Sequence, residues 1–134
     1  MTRLVALLGV LAVAGCGAQA DPSSVERFRG EERAVAQKVE DLQEAGEGRK
    51  PEDICSQILA RSLVQRLEAG GGDCADEMEK AIDDADDYDL DVQDVTVSGT
   101  TATARVRRGT EGPPVTMEFA RENDQWRATS LGGA

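Results

Sequence analysis

The chain has 134 residues, 26 acidic and 15 basic side chains, no histidine and a formal charge of −11. That length suits one modest domain. That charge disfavours binding to nucleic acid and to anionic lipid surfaces, and the missing histidine removes the commonest acid–base and metal-ligating side chain.

The N-terminus carries a leader pattern. Arg3 supplies a positive start, and Leu4 to Val13 is an uncharged apolar run. Ten residues suit the apolar region of a signal peptide and fall short of the roughly 20 needed to span a bilayer. Residues 1–15 therefore read as a signal peptide. The run ends in Val13-Ala14-Gly15-Cys16, which resembles the lipobox of bacterial lipoproteins. The resemblance implies that Cys16 is acylated and becomes the mature N-terminus, with residues 16–22 as a lipidated tether. It places the protein on the extracytoplasmic face of the cell membrane. Several acyl chains hold firmly where one holds weakly, at about 0.8 kcal/mol per buried methylene. A rival cleavage after Ala18-Gln19-Ala20 would discard Cys16 and free the protein. Cleavage before Cys16 removes Arg3 and takes the formal charge from −11 to −12.

Two cysteines remain, Cys55 and Cys74. In an exported domain they read as one disulfide. Two buried thiols are the alternative. A metal pair is a weaker one, since two thiolates make half a zinc site and no histidine completes it.

Residues 23–132 read as a single α+β domain with a helical first half and a strand-rich second half. Ser23 and Glu26 have capping-box spacing, so a first helix is expected from there to about Glu44, with Val25, Phe28, Val35, Val39 and Leu42 on one face. Pro51 opens a second helix, with Glu52 and Asp53 at its positive end. Leu63, Val64 and Leu67 continue it or form a separate turn. Gly70-Gly71-Gly72 breaks the chain, and Asp73 caps a third helix with Ala75, Met78, Ile82 and Ala85 on its buried face. About three helices are thus expected, with the disulfide joining the starts of the second and third.

From Leu90 the period becomes two. Leu90 and Val92 lie on one parity, Val95 and Val97 on the other, which calls for a bulge near Gln93-Asp94. Ser98-Gly99 turns into Ala102, Ala104 and Val106. After a glycine- and proline-containing loop come Val115, Met117 and Phe119. Glu122-Asn123-Asp124 turns into the last strand, with Trp126 and Ala128 facing inward. Four consecutive strands make an antiparallel meander with one buried face. The small residues Ala102, Ala104 and Ala128 leave room for a pocket on that face, or equally let the helices pack closer.

This order of elements, with Cys55 and Cys74 around the later helices, the Asp91 to Val106 hairpin and the closing Gln125-Trp126-Arg127-Ala128 strand, resembles small exported lipoproteins of the nuclear transport factor two-like superfamily. The resemblance implies a curved sheet wrapped around helices into a cone with an apolar pocket. Some members of that superfamily are isomerases or dehydratases; many only bind small molecules or proteins.

The chemistry of this chain points away from an enzyme. The inward strand positions carry Ala, Val, Met and Phe, and no Ser–His pair, phosphate-binding loop or metal-ligand spacing is present. No catalytic residue, cofactor or metal site is assigned. Asp73 to Asp94 holds eleven carboxylates and one cation, Lys80. It reads as a solvated face or, less simply, a weak divalent-cation site. Asp87, Asp89 and Asp91 alternate as in a calcium loop, but Val92 and Ser98 stand where that loop needs glycine and glutamate. Arg105, Arg107 and Arg127 should share the polar sheet face and pair with Glu118, or offer a partner surface. The functional expectation is a non-enzymatic anchored domain that binds a small apolar ligand or an envelope partner. The alternative is a structural or interaction module with a filled core and no ligand; a degenerate isomerase- or dehydratase-like enzyme is a weaker one.

Overall fold

In a computed structural model, the structure describes residues Ser24–Gly133. Cys16, the leader 1–15, the tether 16–22 and the capping residue Ser23 lie outside the described residues. The fold is α+β. A 3-10 turn (Ser24–Arg27) precedes helix α1 (Gly30–Glu47). Helix α2 (Pro51–Asp53) runs on into a single π turn (Ile54–Ile58). Helices α3 (Arg61–Glu68) and α4 (Cys74–Asp84) follow. Strands β1 (Leu90–Ser98), β2 (Thr101–Arg108), β3 (Val115–Glu122) and β4 (Gln125–Ser130) form one antiparallel sheet in sequence order. No helix among the described residues is long and apolar enough to cross a membrane.

Four helices stand where about three were expected, and two boundaries differ from the sequence reading. The first helix starts at Gly30, not beside Ser23. Val25 sits on a separate 3-10 turn and Phe28 just after it; the turn is held to the sheet through Ser24, whose Oγ accepts a hydrogen bond from the Val92 backbone N–H of β1 at 3.3 Å. The same helix continues past Glu44 to Glu47 and contains Gly46. It closes on a Schellman motif, with Lys50 N–H bonded to Ala45 O (2.9 Å) and Arg49 N–H to Gly46 O (3.1 Å). Arg49 occupies the left-handed position at φ 54°, where glycine is usual.

The second apolar helical stretch divides at Leu59-Ala60. The π turn ends with Leu59 extended. Leu59 then pairs in parallel with Ala128, and Ala60 N–H donates to Ala128 O at 2.8 Å. That short pairing covers the outer edge of β4, so a strand edge rather than a helix-breaking residue decides the break. Helix α4 forms as its sequence indicates: the Asp73 carboxylate accepts from Ala75 N–H at 3.1 Å, a standard N-cap.

The sheet keeps the expected registers. Gln93 is the extra residue of a bulge between Val92 and Asp94. A second irregularity, not anticipated, lies opposite Glu118 and Phe119, where β4 carries Thr129 as the extra residue. Asn123 and Asp124, both at positive φ (51° and 63°), make the two-residue turn that matches strand twist. The core lies between α1 and the inner sheet face, with Val35, Val39, Val92, Val106, Met117 and Phe119 fully enclosed. Phe119 is flanked in register by Ala102 and Ala128. Ala102 and Ala128 therefore make room for the Phe119 ring, and Ala104 stands in register with Met117.

Candidate functional site

Cys55 and Cys74 form a disulfide with Cα atoms 6.2 Å apart. Cys55 lies in the π turn and Cys74 is the first residue of α4, so the bond joins α2 to the start of α4 and fixes two walls of a neighbouring space. Ile54 precedes Cys55, and Met78 lies one helical turn beyond Cys74, on the same face.

That space is an apolar cavity of about 180 Å³. It sits where the end of α1 and the second half of α4 meet the Leu90–Arg108 end of the sheet. Gly46, Ile54, Met78, Ile82 and Met117 form its buried floor. Leu42, Ala85, Tyr88, Leu90 and Leu131 make half-buried walls, and Ala81, Asp87 and Arg108 stand at the exposed rim. Gly46 is there for closeness: a Cβ on it would lie 3.3 Å from the Tyr88 ring, so the glycine lets that ring lie against α1 and close one side.

The polar side chains around the cavity already hold partners. Tyr88 OH donates to Ile82 O at 2.8 Å, a carbonyl of the last turn of α4 that also accepts from the capping Ala85 N–H at 3.3 Å. Gln43 Oε1 accepts from Leu90 N–H at 2.8 Å. Asp87 Oδ1 accepts from Asp89 N–H at 2.9 Å. Arg108 donates to Leu131 O (2.9 Å) and Gly132 O (3.2 Å). No buried side-chain polar atom among the described residues lacks a partner. The arrangement can therefore receive an apolar group; it presents no oriented nucleophile, base or oxyanion donor.

The acidic segment does not converge. No group of three or more metal-ligating side chains is gathered among the described residues. Asp83 forms an ion pair with Arg49, and that carboxylate pushes the exposed Arg49 guanidinium further toward its charged form, first by hydrogen bonding and then by charge. The arginines of the sheet depart from the expected pairing with Glu118. Arg127 donates to Ser56 O at 2.7 Å, Arg121 pairs with Glu31 at 3.2 Å, and Glu118 stands in register with Thr103 and Ser130.

Trp126 is buried at 3 % exposure. Its indole Nε1–H donates to Glu31 Oε2 at 2.7 Å, while the Arg121 guanidinium lies over its ring at 5.5 Å. This is a core anchor and not an exposed stacking platform. The cavity residues were individually visible in the sequence as apolar stripe positions, but nothing in spacing distinguishes a stripe that lines a space from one that fills it. The chain matches no protein-family model, no curated protein and no solved structure.

Proposed function

We propose that this chain is a lipid-anchored, extracytoplasmic, non-enzymatic domain that holds a small apolar ligand in the cavity between α1, α4 and the open end of the sheet. One observation carries the reading: the cavity is walled by aliphatic and methionine side chains, and the polar groups around it already bond to backbone. Ligand pockets are mostly apolar with few polar groups, and a polar substrate would find no unpartnered buried group here to orient it. The resemblance of Val13-Ala14-Gly15-Cys16 to a lipobox supports anchoring, with acylation holding the exported domain at the membrane. A meander covered on one face by helices is compatible with the architecture of the nuclear transport factor two-like superfamily.

A filled structural or partner-binding module is the second reading. The volume favours it: about 180 Å³ is below the usual range of roughly 300–1,000 Å³ for ligand pockets, though a dry cavity of about 150 Å³ is enough for benzene.

Methionine methyls distinguish the two. Met78 and Met117 are the methionines of the described domain, and both line the cavity. With ¹³C-methyl methionine, titration with benzene should shift both signals in a saturable way. Unchanged signals at benzene saturation would reject the ligand reading and leave the module.

A further inference from the structure

We propose that the occupant of the cavity is the hydrocarbon chain of a lipid with an uncharged headgroup, drawn from the bilayer that anchors the protein; this rests on the anchoring and ligand reading above. The position of the cavity is the first reason. The described chain begins at Ser24, which is fastened to β1 through Val92 N–H. Leu90, in the cavity wall, is two positions back along the same strand, about 7 Å. Eight residue steps separate Cys16 from Ser24 and reach at most about 29 Å. The Leu90 end of the sheet therefore stays near the headgroups to which an acylated Cys16 is tied.

A groove lined by Ser24, Asp91 and Arg107 adjoins the cavity, with Gln43 and Leu90 as their common wall. A chain leaving the bilayer beside the tether meets this groove first and passes over that wall to the apolar floor.

Chemistry narrows the occupant. The floor offers Ile54, Met78, Ile82 and Met117, and unbranched methionines adapt to a flexible chain. The polar rim groups of the cavity are engaged with backbone, and in the adjoining groove Arg107 is outnumbered by Glu40, Asp89 and Asp91. The surroundings are acidic: Asp83, Asp84, Asp86, Asp87 and Asp89 are all exposed at the cavity end of α4 and the segment entering β1. Arg49 is paired with Asp83 and Arg108 with two carbonyls. A carboxylate or phosphate headgroup would approach this rim against the field of a strongly negative protein. A glycerol headgroup meets no such opposition.

The test uses the full acylated protein in zwitterionic lipid discs, with ¹³C-methyl methionine. A medium-chain monoacylglycerol should shift the Met78 and Met117 methyls. The fatty acid of equal chain length, at neutral pH, should need at least about tenfold more, a factor expected from the charged rim. Ala81→Phe, at the exposed rim, should abolish both shifts without moving the melting temperature by more than a few degrees. Shifts with benzene but none with monoacylglycerol would overturn the lipid proposal and leave the ligand reading intact. No shift with either would end both. A fatty acid that binds as well as the monoacylglycerol would overturn the headgroup assignment, and a mature mass without acyl groups would overturn delivery from an anchoring bilayer.

Discussion

Replacing the disulfide by Cys55→Ala with Cys74→Ala should cost the domain about 3 kcal/mol. The bond spans a sequence separation of 19, and the chain-entropy relation for a loop of that size gives about 3 kcal/mol at 25 °C. Alanine at position 74 suits a buried site and a helix start. The folded state therefore loses only two sulfurs' packing beyond the chain-entropy change. For about 110 ordered residues an unfolding entropy of roughly 2.1 cal/mol/K per residue converts this to a fall in melting temperature on the order of 13 °C. Urea unfolding at pH 7 measures it, with thiol titration confirming that the parent holds no free Cys55 or Cys74. The slope against urea should rise in the variant, since the uncrosslinked denatured chain exposes more surface. Reduction of the parent with a dithiol should reproduce the shift in midpoint. A loss below about 1 kcal/mol, with an unchanged slope, would refute the claim that this link constrains α2 and α4.

Three smaller perturbations test the packing around the core and the cavity. Glu31→Ala removes the acceptor of the buried Trp126 indole N–H and should cost about 1–2 kcal/mol in urea unfolding. Glu31→Gln should recover part of that loss, because an amide oxygen still accepts. Gly132→Ala should destabilise by about 1–3 kcal/mol, since Gly132 sits at φ +67° and a Cβ there would lie 2.8 Å from Thr116 O; thermal melting reads it. Arg49→Gly should leave the melting temperature unchanged or raise it slightly, because it relieves a left-handed arginine at the loss of only a solvent-exposed ion pair.

The β half was legible because its information is local. Ala102, Ala104, Val106, Met117, Phe119, Trp126 and Ala128 alternate inward as their period of two requires, and the parity change after Val92 located the Gln93 bulge. Asp73 announced its helix through a cap that needs only the next few residues. The misplaced boundaries depend on distant partners. Ser24 ties the N-terminal turn to β1, 68 positions away, and the helix begins only at Gly30, whose φ is +57°, so the spacing of Ser23 and Glu26 does not set its start. Leu59 and Ala60 leave the helix for Ala128 on the last strand. The cavity was least legible, because Leu42, Ile54, Met78, Leu90 and Leu131 come from separate elements and their apolar character is the same whether they enclose space or fill it. Of the alanines that suggested a pocket, Ala102 and Ala128 flank Phe119 and Ala104 faces Met117.

Native mass spectrometry of the protein extracted from its own membranes, with Cys16 intact, tests the central claim most directly. The account predicts a mature chain beginning at an acylated Cys16 and carrying a further, noncovalent apolar mass in one-to-one ratio, lost when Ala81→Phe narrows the cavity. An acylated chain with no added mass, in parent and variant alike, would contradict the ligand reading and leave a structural or partner-binding module.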